Sequence, residues 1–128
     1  MIYGFFWLIE HEIAGMSLPN GIAAASASRS DVRSQECEDE LNDLKLRGIR
    51  AVVSLTERGL DAGLLEEEGF RYFHLPVPDM TAPTPSQIAQ FLEFARTCRK
   101  DKRPAVVHCL GGEGRTGTVL AWYLVSDK

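Results

Sequence analysis

Short apolar runs alternate with longer amphipathic segments along this 128-residue chain. Runs of this kind, bounded by turn residues, favour buried strands. Strands are predicted at residues 6–9, 12–17, 50–55, 71–77 and 104–109. The first two are close enough to be joined by a turn. The last run is apolar at consecutive positions, which is typical of a central strand covered on both faces.

Apolar stripes at helical spacing predict helices between these strands. They span residues 34–47, 60–68, 85–98 and 115–126. Thr84 and Gln87 form a capping box, with Pro85 at the first helical position. Gly48 and Gly69 are natural stops for the first two helices. The apolar faces consist of Cys37, Leu41, Leu44 and Leu46 in the first helix, Ile88, Phe91, Leu92, Ala95 and Cys98 in the third, and Val119, Leu120, Tyr123 and Leu124 in the last.

Residues 19–30 are rich in Gly, Ala and Ser and predict a loop. The aromatic residues Phe5, Phe6 and Trp7 are expected in the core. Strands that alternate with helices predict an α/β fold with a central, mostly parallel sheet flanked by helices. The length suits one domain, and we expect residues 1–128 to form it.

Residues 107–118 carry the most informative motif, Val-His-Cys-Leu-Gly-Gly-Glu-Gly-Arg-Thr-Gly-Thr. A glycine-rich loop before a helix can turn successive backbone N–H groups inward and bind an anion. Arg115 adds a planar fork that suits two phosphate oxygens. The same positive field lowers a cysteine pKa, which makes Cys109 a candidate thiolate nucleophile. The alternative is a buried, inert cysteine at the end of a strand.

The order His-Cys, five residues, Arg and Thr resembles the signature of the cysteine-dependent protein tyrosine phosphatases. Residues 54–59 (Ser-Leu-Thr-Glu-Arg-Gly), 75–79 (Leu-Pro-Val-Pro-Asp) and 114–118 together resemble the small atypical dual-specificity phosphatases. Residues 5–9 and 13–16 are similar to the opening of that group. The resemblance covers most of the chain apart from residues 20–36.

This resemblance implies a role for each residue of the motif. Cys109 is the nucleophile, Arg115 holds the phosphate, and Asp79 is the general acid and then the base. Thr116 is the hydroxyl that steadies the thiolate, and His108 shapes the loop behind the cysteine. The substrate phosphate is bound by the backbone of Leu110, Gly111, Gly112, Glu113, Gly114 and Arg115. For Asp79, a turn aspartate between prolines is the alternative interpretation.

Two features depart from the family pattern. Glu113 occupies a loop position that is more usually apolar or basic, and a carboxylate there disfavours a polyphosphorylated substrate. The chain also stops soon after the signature helix, where the family continues with one or two more helices. We therefore expect either a C-terminally truncated domain or a naturally minimal phosphatase, with apolar surface on residues 119–125 that promotes weak dimerisation.

Bulk composition limits the remaining possibilities. The net charge of −4 argues against nucleic acid as a partner. Three cysteines do not make a disulfide framework, so a reducing, cytoplasmic setting is expected. The apolar start lacks a basic segment and is too short to cross a bilayer, which argues against export and membranes. The histidines His11, His74 and His108 lack metal-ligand spacing, and neither a metal nor another cofactor is expected.

The predicted function is hydrolysis of phosphotyrosine monoesters on proteins or peptides, with phosphoserine and phosphothreonine as further substrates. The predicted mechanism passes through a cysteinyl-phosphate. Three alternatives stay open: a phosphatase for a non-protein phosphate ester, a phosphate-binding pseudophosphatase or scaffold, and a rhodanese-like or arsenate-reducing enzyme. The last has the least support, because the Val-Pro-Asp segment has a clear use only in phosphate-ester cleavage.

Overall fold

The computed structural model describes residues 2–28, 33–78, 80–110 and 114–126. Over these ranges, strands and helices alternate along most of the chain. In chain order the elements are β1 (Phe6–Ile9), β2 (Ile13–Met16), α1 (Asn20–Ser28), α2 (Gln35–Leu46), β3 (Ala51–Ser54), α3 (Ala62–Glu67), β4 (Arg71–His74), α4 (Pro85–Lys100), β5 (Ala105–His108) and α5 (Gly114–Ser126). None of the helices described is long and apolar enough to cross a bilayer.

The strands form one sheet in the order β1-β2-β5-β3-β4. Strand β5 runs parallel to both β2 and β3, and β3 runs parallel to β4. Only β1 is antiparallel among the described strands, and it lies at the edge of the sheet. The predictions of a mostly parallel sheet and of a central last strand are therefore confirmed. His108 at the end of β5 lies beside Met16 of β2 and Ser54 of β3.

Helices cover both faces of the sheet, and alternate strand residues point to opposite faces. We call the two sides the α4–α5 face and the α1–α3 face, after the helices that pack on them. The core of the α4–α5 face contains Ile13, Val53, Leu55, Leu75, Phe91, Leu92, Ala95, Val107, Cys109, Val119, Leu120 and Tyr123. The core of the α1–α3 face contains Ile2, Ala14, Met16, Ile22, Cys37, Leu41, Leu44, Ile49, Val52, Leu60, Leu65, Phe70 and Val106.

Residues 20–28 form helix α1, so the prediction of a loop there is wrong. Alanine has the highest helix propensity, and this segment is rich in it. The N-terminus of α1 is capped from a distance: the buried carboxylate of Glu40 accepts hydrogen bonds from the N–H groups of Gly21 (3.1 Å) and Ile22 (2.8 Å). A negative group at a helix N-terminus is favourable. Since Glu40 lies on α2, no local pattern could show this cap.

Three smaller expectations are also corrected. Phe6 is exposed because β1 is the edge strand, whereas Phe5 and Trp7 are half-buried. Leu46 is exposed because two residues beyond Leu44 the helix has turned about 200°. Leu124 is partly exposed because Val119, Leu120 and Tyr123 supply the stripe that faces the sheet.

The predicted N-terminus of α4 agrees with the structure. Thr84 accepts a hydrogen bond from the backbone N–H of Gln87 (3.1 Å), and the Gln87 side chain accepts one from the N–H of Thr84 (3.0 Å). This is the predicted capping box, with Pro85 at the start of α4. It fixes α4 against the segment that leads to the site, because the Gln87 amide also donates to the carbonyl of Pro76 (2.7 Å).

Candidate active site

Cys109 directly follows the last residue of the central strand. Only 3% of it is exposed, and it belongs to the core of the α4–α5 face. Its position is the carboxyl end of parallel strands, where open α/β sheets bind ligands. The neighbouring strands end beside it at Met16 and Ser54. Cys109 is therefore held by rigid elements on both sides.

Arg115 lies in the first turn of α5, and 8% of it is exposed. Its guanidinium donates a hydrogen bond to the carbonyl of Val77 (2.8 Å). A buried arginine must be paired, and its planar fork carries several N–H donors. Since Val77 lies two residues before Asp79, this bond ties the start of α5 to the segment that carries the predicted acid.

A cleft of about 470 Å³ opens above these two residues. Cys109 and Arg115 form its buried floor. Met80 and Leu110, which are 95% and 59% exposed, stand at its mouth. The described lining residues are Met80, Thr81, Ala82, Cys109, Leu110, Gly114, Arg115 and Thr118. Arg115 is the one charged side chain in this set, so the described walls are neutral and largely apolar.

Four predicted site residues lie outside the described residues: Asp79, Gly111, Gly112 and Glu113. Their predicted roles stay predictions. The loop is described at both ends, by Leu110 and by Gly114 in the first turn of α5. The carbonyl of Leu110 accepts a hydrogen bond from the N–H of Leu18 (3.1 Å), in the segment just before α1. The start of the loop is thus tied to the α1–α3 side of the molecule.

Thr116 is completely buried, and its hydroxyl has no hydrogen-bond partner among the described residues. A buried hydroxyl without a partner is unfavourable, so such a group usually has a use. Thr116 follows Arg115 in the first turn of α5. The structure therefore leaves this hydroxyl available for the thiolate, as the sequence predicts, although the role itself stays a prediction.

His108 is buried, and both of its ring nitrogens have partners. Nε2 lies 2.6 Å from the hydroxyl of Ser54, and Nδ1 lies 3.2 Å from the carbonyl oxygen of Cys109. Burial lowers the pKa of His108 to about 4, against the opposing effect of the Cys109 backbone. The ring is therefore neutral at pH 7. This agrees with the predicted structural role behind the cysteine rather than with a proton carrier.

Sequence reasoning missed Ser54, Leu18 and the carbonyl of Val77 as parts of this site. Ser54 stands in the Ser-Leu-Thr-Glu-Arg-Gly segment on which the family resemblance rests, and that was the one available signal. Leu18 and Val77 contribute only backbone atoms, which a side-chain pattern does not show.

The described residues contain no group of three His, Cys, Asp or Glu side chains that could hold a metal ion. Cys37, Cys98 and Cys109 form no disulfides, and all three are buried. The chemistry available at the described site is therefore that of a thiol, a guanidinium, a hydroxyl and backbone amides.

The parallel sheet, with a buried cysteine at its centre and an arginine in the next helical turn, defines the class of protein tyrosine phosphatase-like domains. A family model described as "Polymorphic toxin system, DSP-PTPase phosphatase" matches residues 14–128. The chain belongs to this family. The prediction of a small dual-specificity phosphatase of the protein tyrosine phosphatase superfamily is confirmed.

Individual relatives agree with this assignment. The dual specificity protein phosphatase CDC14B of Mus musculus is 28% identical over 121 residues, which cover 94% of this chain and 24% of the relative. Cyclin-dependent kinase inhibitor 3 of Rattus norvegicus is 31% identical over 105 residues, 74% of this chain and 48% of the relative. The chain thus spans between a quarter and a half of these curated relatives.

A crystal structure of Tk-PTP in its active form is similar in fold, with a TM-score of 0.68 and 28% identity. The match covers 91% of this chain and 69% of that chain. A structure of kinase associated phosphatase, in which the catalytic cysteine is replaced by serine, superposes with a TM-score of 0.68 at 23% identity. The predicted fold class is confirmed.

Proposed function

We propose that this domain hydrolyses phosphate monoesters on proteins, phosphotyrosine first and phosphoserine and phosphothreonine in addition, through a cysteinyl-phosphate. The observation that carries the proposal is one cleft that both Cys109 and Arg115 line while each is almost fully buried. A thiol and a guanidinium in this arrangement suit attack on a bound phosphoryl group.

In the first step, the Cys109 thiolate attacks phosphorus in line with the leaving oxygen. A sulfur–phosphorus bond forms as the phosphorus–oxygen ester bond breaks, and Asp79 gives its proton to the leaving oxygen. The Arg115 guanidinium and the backbone N–H groups of residues 110–115 hold the equatorial oxygens, where charge develops. Thr116 stabilises the thiolate before its attack in the first step and again when it leaves phosphorus in the second step.

In the second step, Asp79 takes a proton from a water molecule, which attacks phosphorus on the side opposite sulfur. The sulfur–phosphorus bond breaks, and inorganic phosphate and the thiolate are released. His108 stays neutral throughout and keeps the Cys109 carbonyl in place. The roles of Asp79, Gly111, Gly112 and Glu113 rest on the sequence alone.

The walls of the cleft support a phosphoprotein substrate. Met80, Ala82 and Leu110 present apolar surface around the mouth, and Arg115 is the one cation among the described lining residues. A polyphosphorylated small molecule would need more positive charge than this. A single phosphate on an apolar carrier, such as the ring of phosphotyrosine, fits these walls better.

The setting of the domain follows from the same chemistry. We propose one domain over residues 1–128, monomeric or weakly dimeric, that works without a cofactor, nucleic acid or membrane. Thiol catalysis requires a reducing compartment such as the cytoplasm.

The family description places its members in polymorphic toxin systems. We propose that the domain is the phosphatase component of such a system, which predicts a loss of cellular phosphotyrosine on expression of the wild type but not of Cys109→Ser.

The test of catalysis is steady-state hydrolysis of p-nitrophenyl phosphate across pH, for the wild type and Cys109→Ser, beside phosphotyrosine and phosphothreonine peptides. Turnover that disappears in the serine variant supports the thiolate mechanism. If Asp79→Asn loses the fall in activity on the alkaline side of the pH optimum, this supports the assigned proton donor. A folded wild-type protein that binds inorganic phosphate without turnover contradicts the proposal and points to a phosphate-binding module.

A further inference from the structure

The three parallel strands behind the nucleophile carry a row of polar side chains on the α1–α3 face, two of them buried and one half-buried. They are Tyr72 of β4, Ser54 of β3 and His108 of β5. Ser54 pairs in register with His108, and Tyr72 lies two residues before the partner of Ser54 on β4. Polar groups buried together in a sheet must satisfy one another. Their hydrogen bonds therefore decide how the end of the central strand is held.

The partners fix the direction of every hydrogen bond in the row. The Cys109 carbonyl can only accept, so Nδ1 of His108 carries the proton and donates to it. Nε2 of the neutral ring then accepts, and the hydroxyl of Ser54 must donate to it. The Ser54 oxygen is then left as an acceptor, and the Tyr72 hydroxyl on the neighbouring strand is the group placed to donate to it.

The hydrogen bonds at the Tyr72 end of the row run in the same direction. The N–H of Leu60 donates to the Tyr72 oxygen (2.8 Å), so the Tyr72 hydroxyl proton is directed towards Ser54. Burial raises the pKa of Tyr72 and keeps this hydroxyl protonated. Gly59 allows the loop to approach the row, because a Cβ there would lie 2.9 Å from the Tyr72 oxygen and 2.8 Å from a ring nitrogen of His74.

We propose that Ser54 and Tyr72 are positioning residues for the nucleophile. They act through His108, whose ring they hold in the tautomer that donates to the carbonyl of Cys109. Without the Ser54 hydroxyl, the opposite tautomer becomes competitive, and its Nδ1 lone pair faces the carbonyl oxygen. The Cys109 peptide then loses its donor, and the thiolate loses its fixed place over the α5 N-terminus. The inference rests on the proposed role of Cys109 as nucleophile.

The test follows the thiolate directly. The rate of alkylation by iodoacetamide is measured across pH, and mass analysis of peptides assigns the reaction to Cys109. Burial raises the pKa of the Cys37 and Cys98 thiols, which keeps them slow to react. In Ser54→Ala we expect the apparent pKa of Cys109 to rise by about half a unit to one unit, a three- to tenfold slower reaction below that pKa. Tyr72→Phe shifts it less in the same direction, since Ser54 keeps its bond to His108.

Two matched variants separate positioning from loss of stability. Val52→Ala removes buried side-chain volume from the same strand and face, and we expect a lower melting temperature with an unchanged Cys109 profile. Ser54→Thr keeps the hydroxyl and restores the wild-type profile. A folded Ser54→Ala with the wild-type profile overturns the inference. If Ser54→Ala does not fold, a wild-type profile in Tyr72→Phe overturns it instead.

Nitrogen-15 spectra of the histidines give a second, independent reading. His108 is expected in the Nδ1–H form and His74 in the Nε2–H form, because Nε2 of His74 faces the carbonyl of Thr56 at 2.7 Å. In Ser54→Ala only the His108 signals should move towards the other tautomer. Alkylation requires a thiolate but no turnover. A shifted profile in a protein without turnover would therefore contradict the proposed function and leave this inference standing.

Discussion

The two faces of the sheet are built differently. The α4–α5 face is an apolar core with the candidate catalytic groups at one end, where Cys109 and Arg115 line the cleft and the next residue, Thr116, is buried. The α1–α3 face has a core of similar extent, but it also buries Glu40, Ser54 and His108. One face presents chemistry to a substrate. The other uses buried polar groups to hold the backbone from which that chemistry projects.

This difference assigns different consequences to substitutions on the two faces. Changes at the catalytic end of the α4–α5 face should alter turnover more than stability. Changes to the buried polar groups of the α1–α3 face should alter stability first, because an unpaired buried polar group carries its full desolvation cost. The predictions that follow test this difference between the two faces.

The largest expected effect is on turnover, at Arg115. Arg115→Lys keeps the charge but loses the fork that both reaches Val77 and holds phosphate oxygens. We expect kcat/KM for p-nitrophenyl phosphate to fall about a hundred- to a thousandfold, as for loss of one transition-state donor. Arg96→Lys on the exposed surface of α4 is the matched control and should keep the wild-type value. Wild-type kcat/KM in a folded Arg115→Lys would mean that the guanidinium does not hold the phosphate.

A second prediction concerns pH and the α1–α3 face. Burial lowers the pKa of His108 to about 4, below the ordinary value of 6.5. The unfolded chain therefore binds this proton first as the pH falls. Stability should be undiminished above pH 6.5 and should decrease between pH 6.5 and 4, by about 3 kcal/mol in all from this group.

Urea unfolding from pH 7 to pH 4 measures this loss. Carboxylates also titrate over the range, so the quantity of interest is the difference in slope between the wild type and His108→Asn. The slope should be shallower in the variant, whereas His11→Asn, at an exposed turn, should match the wild type. Equal slopes in the wild type and His108→Asn would show that His108 is not held neutral in the folded protein.

The third prediction tests the cap of α1. Glu40→Ala leaves the N–H groups of Gly21 and Ile22 buried without their acceptor. We expect a loss of about 2–3 kcal/mol in the free energy of unfolding. Glu66→Ala removes the same charge from the exposed surface of α3 and should change stability by less than about 0.5 kcal/mol. Similar losses in both variants would mean that charge, rather than the cap, is responsible.

The same division explains what could be predicted from the sequence. The α4–α5 face follows from local patterns: the capping box at Thr84, the stripe of α4, and the order of Cys109 and Arg115 along the chain. The apolar run of β5 was enough to predict its central place in the sheet. The cleft could be anticipated in the same way, because one short segment supplies both the nucleophile and the phosphate ligand.

The α1–α3 face depends more on contacts between residues that are distant in sequence. Its helices α2 and α3 were predicted, but α1 and the buried polar partners were not. Helix α1 is capped by Glu40 from another helix, and its own segment is mostly Gly, Ala and Ser, without a local cap that would have marked it as a helix. Ser54 and Tyr72 have no reason to be chosen until the parallel register brings them beside His108. Buried polar partners of this kind have no periodicity, and only the assembled sheet shows which of them meet.

The smallest expected effect, at Gly117, belongs to the sharpest comparison, because Gly→Ala should stabilise at Gly117 and destabilise at Gly21. In an exposed helix, Gly→Ala stabilises by up to about 1 kcal/mol. Gly117 of α5 is exposed with open space around it, so Gly117→Ala should stabilise. At Gly21 of α1, a Cβ would lie 2.7 Å from the backbone nitrogen of Cys37, and the helices must move apart. We expect Gly21→Ala to destabilise by about 1–3 kcal/mol in urea unfolding. A stabilising Gly21→Ala would mean that α1 packs on α2 less closely than the Glu40 cap requires. The two faces would then differ in their buried polar groups but not in how closely their helices pack.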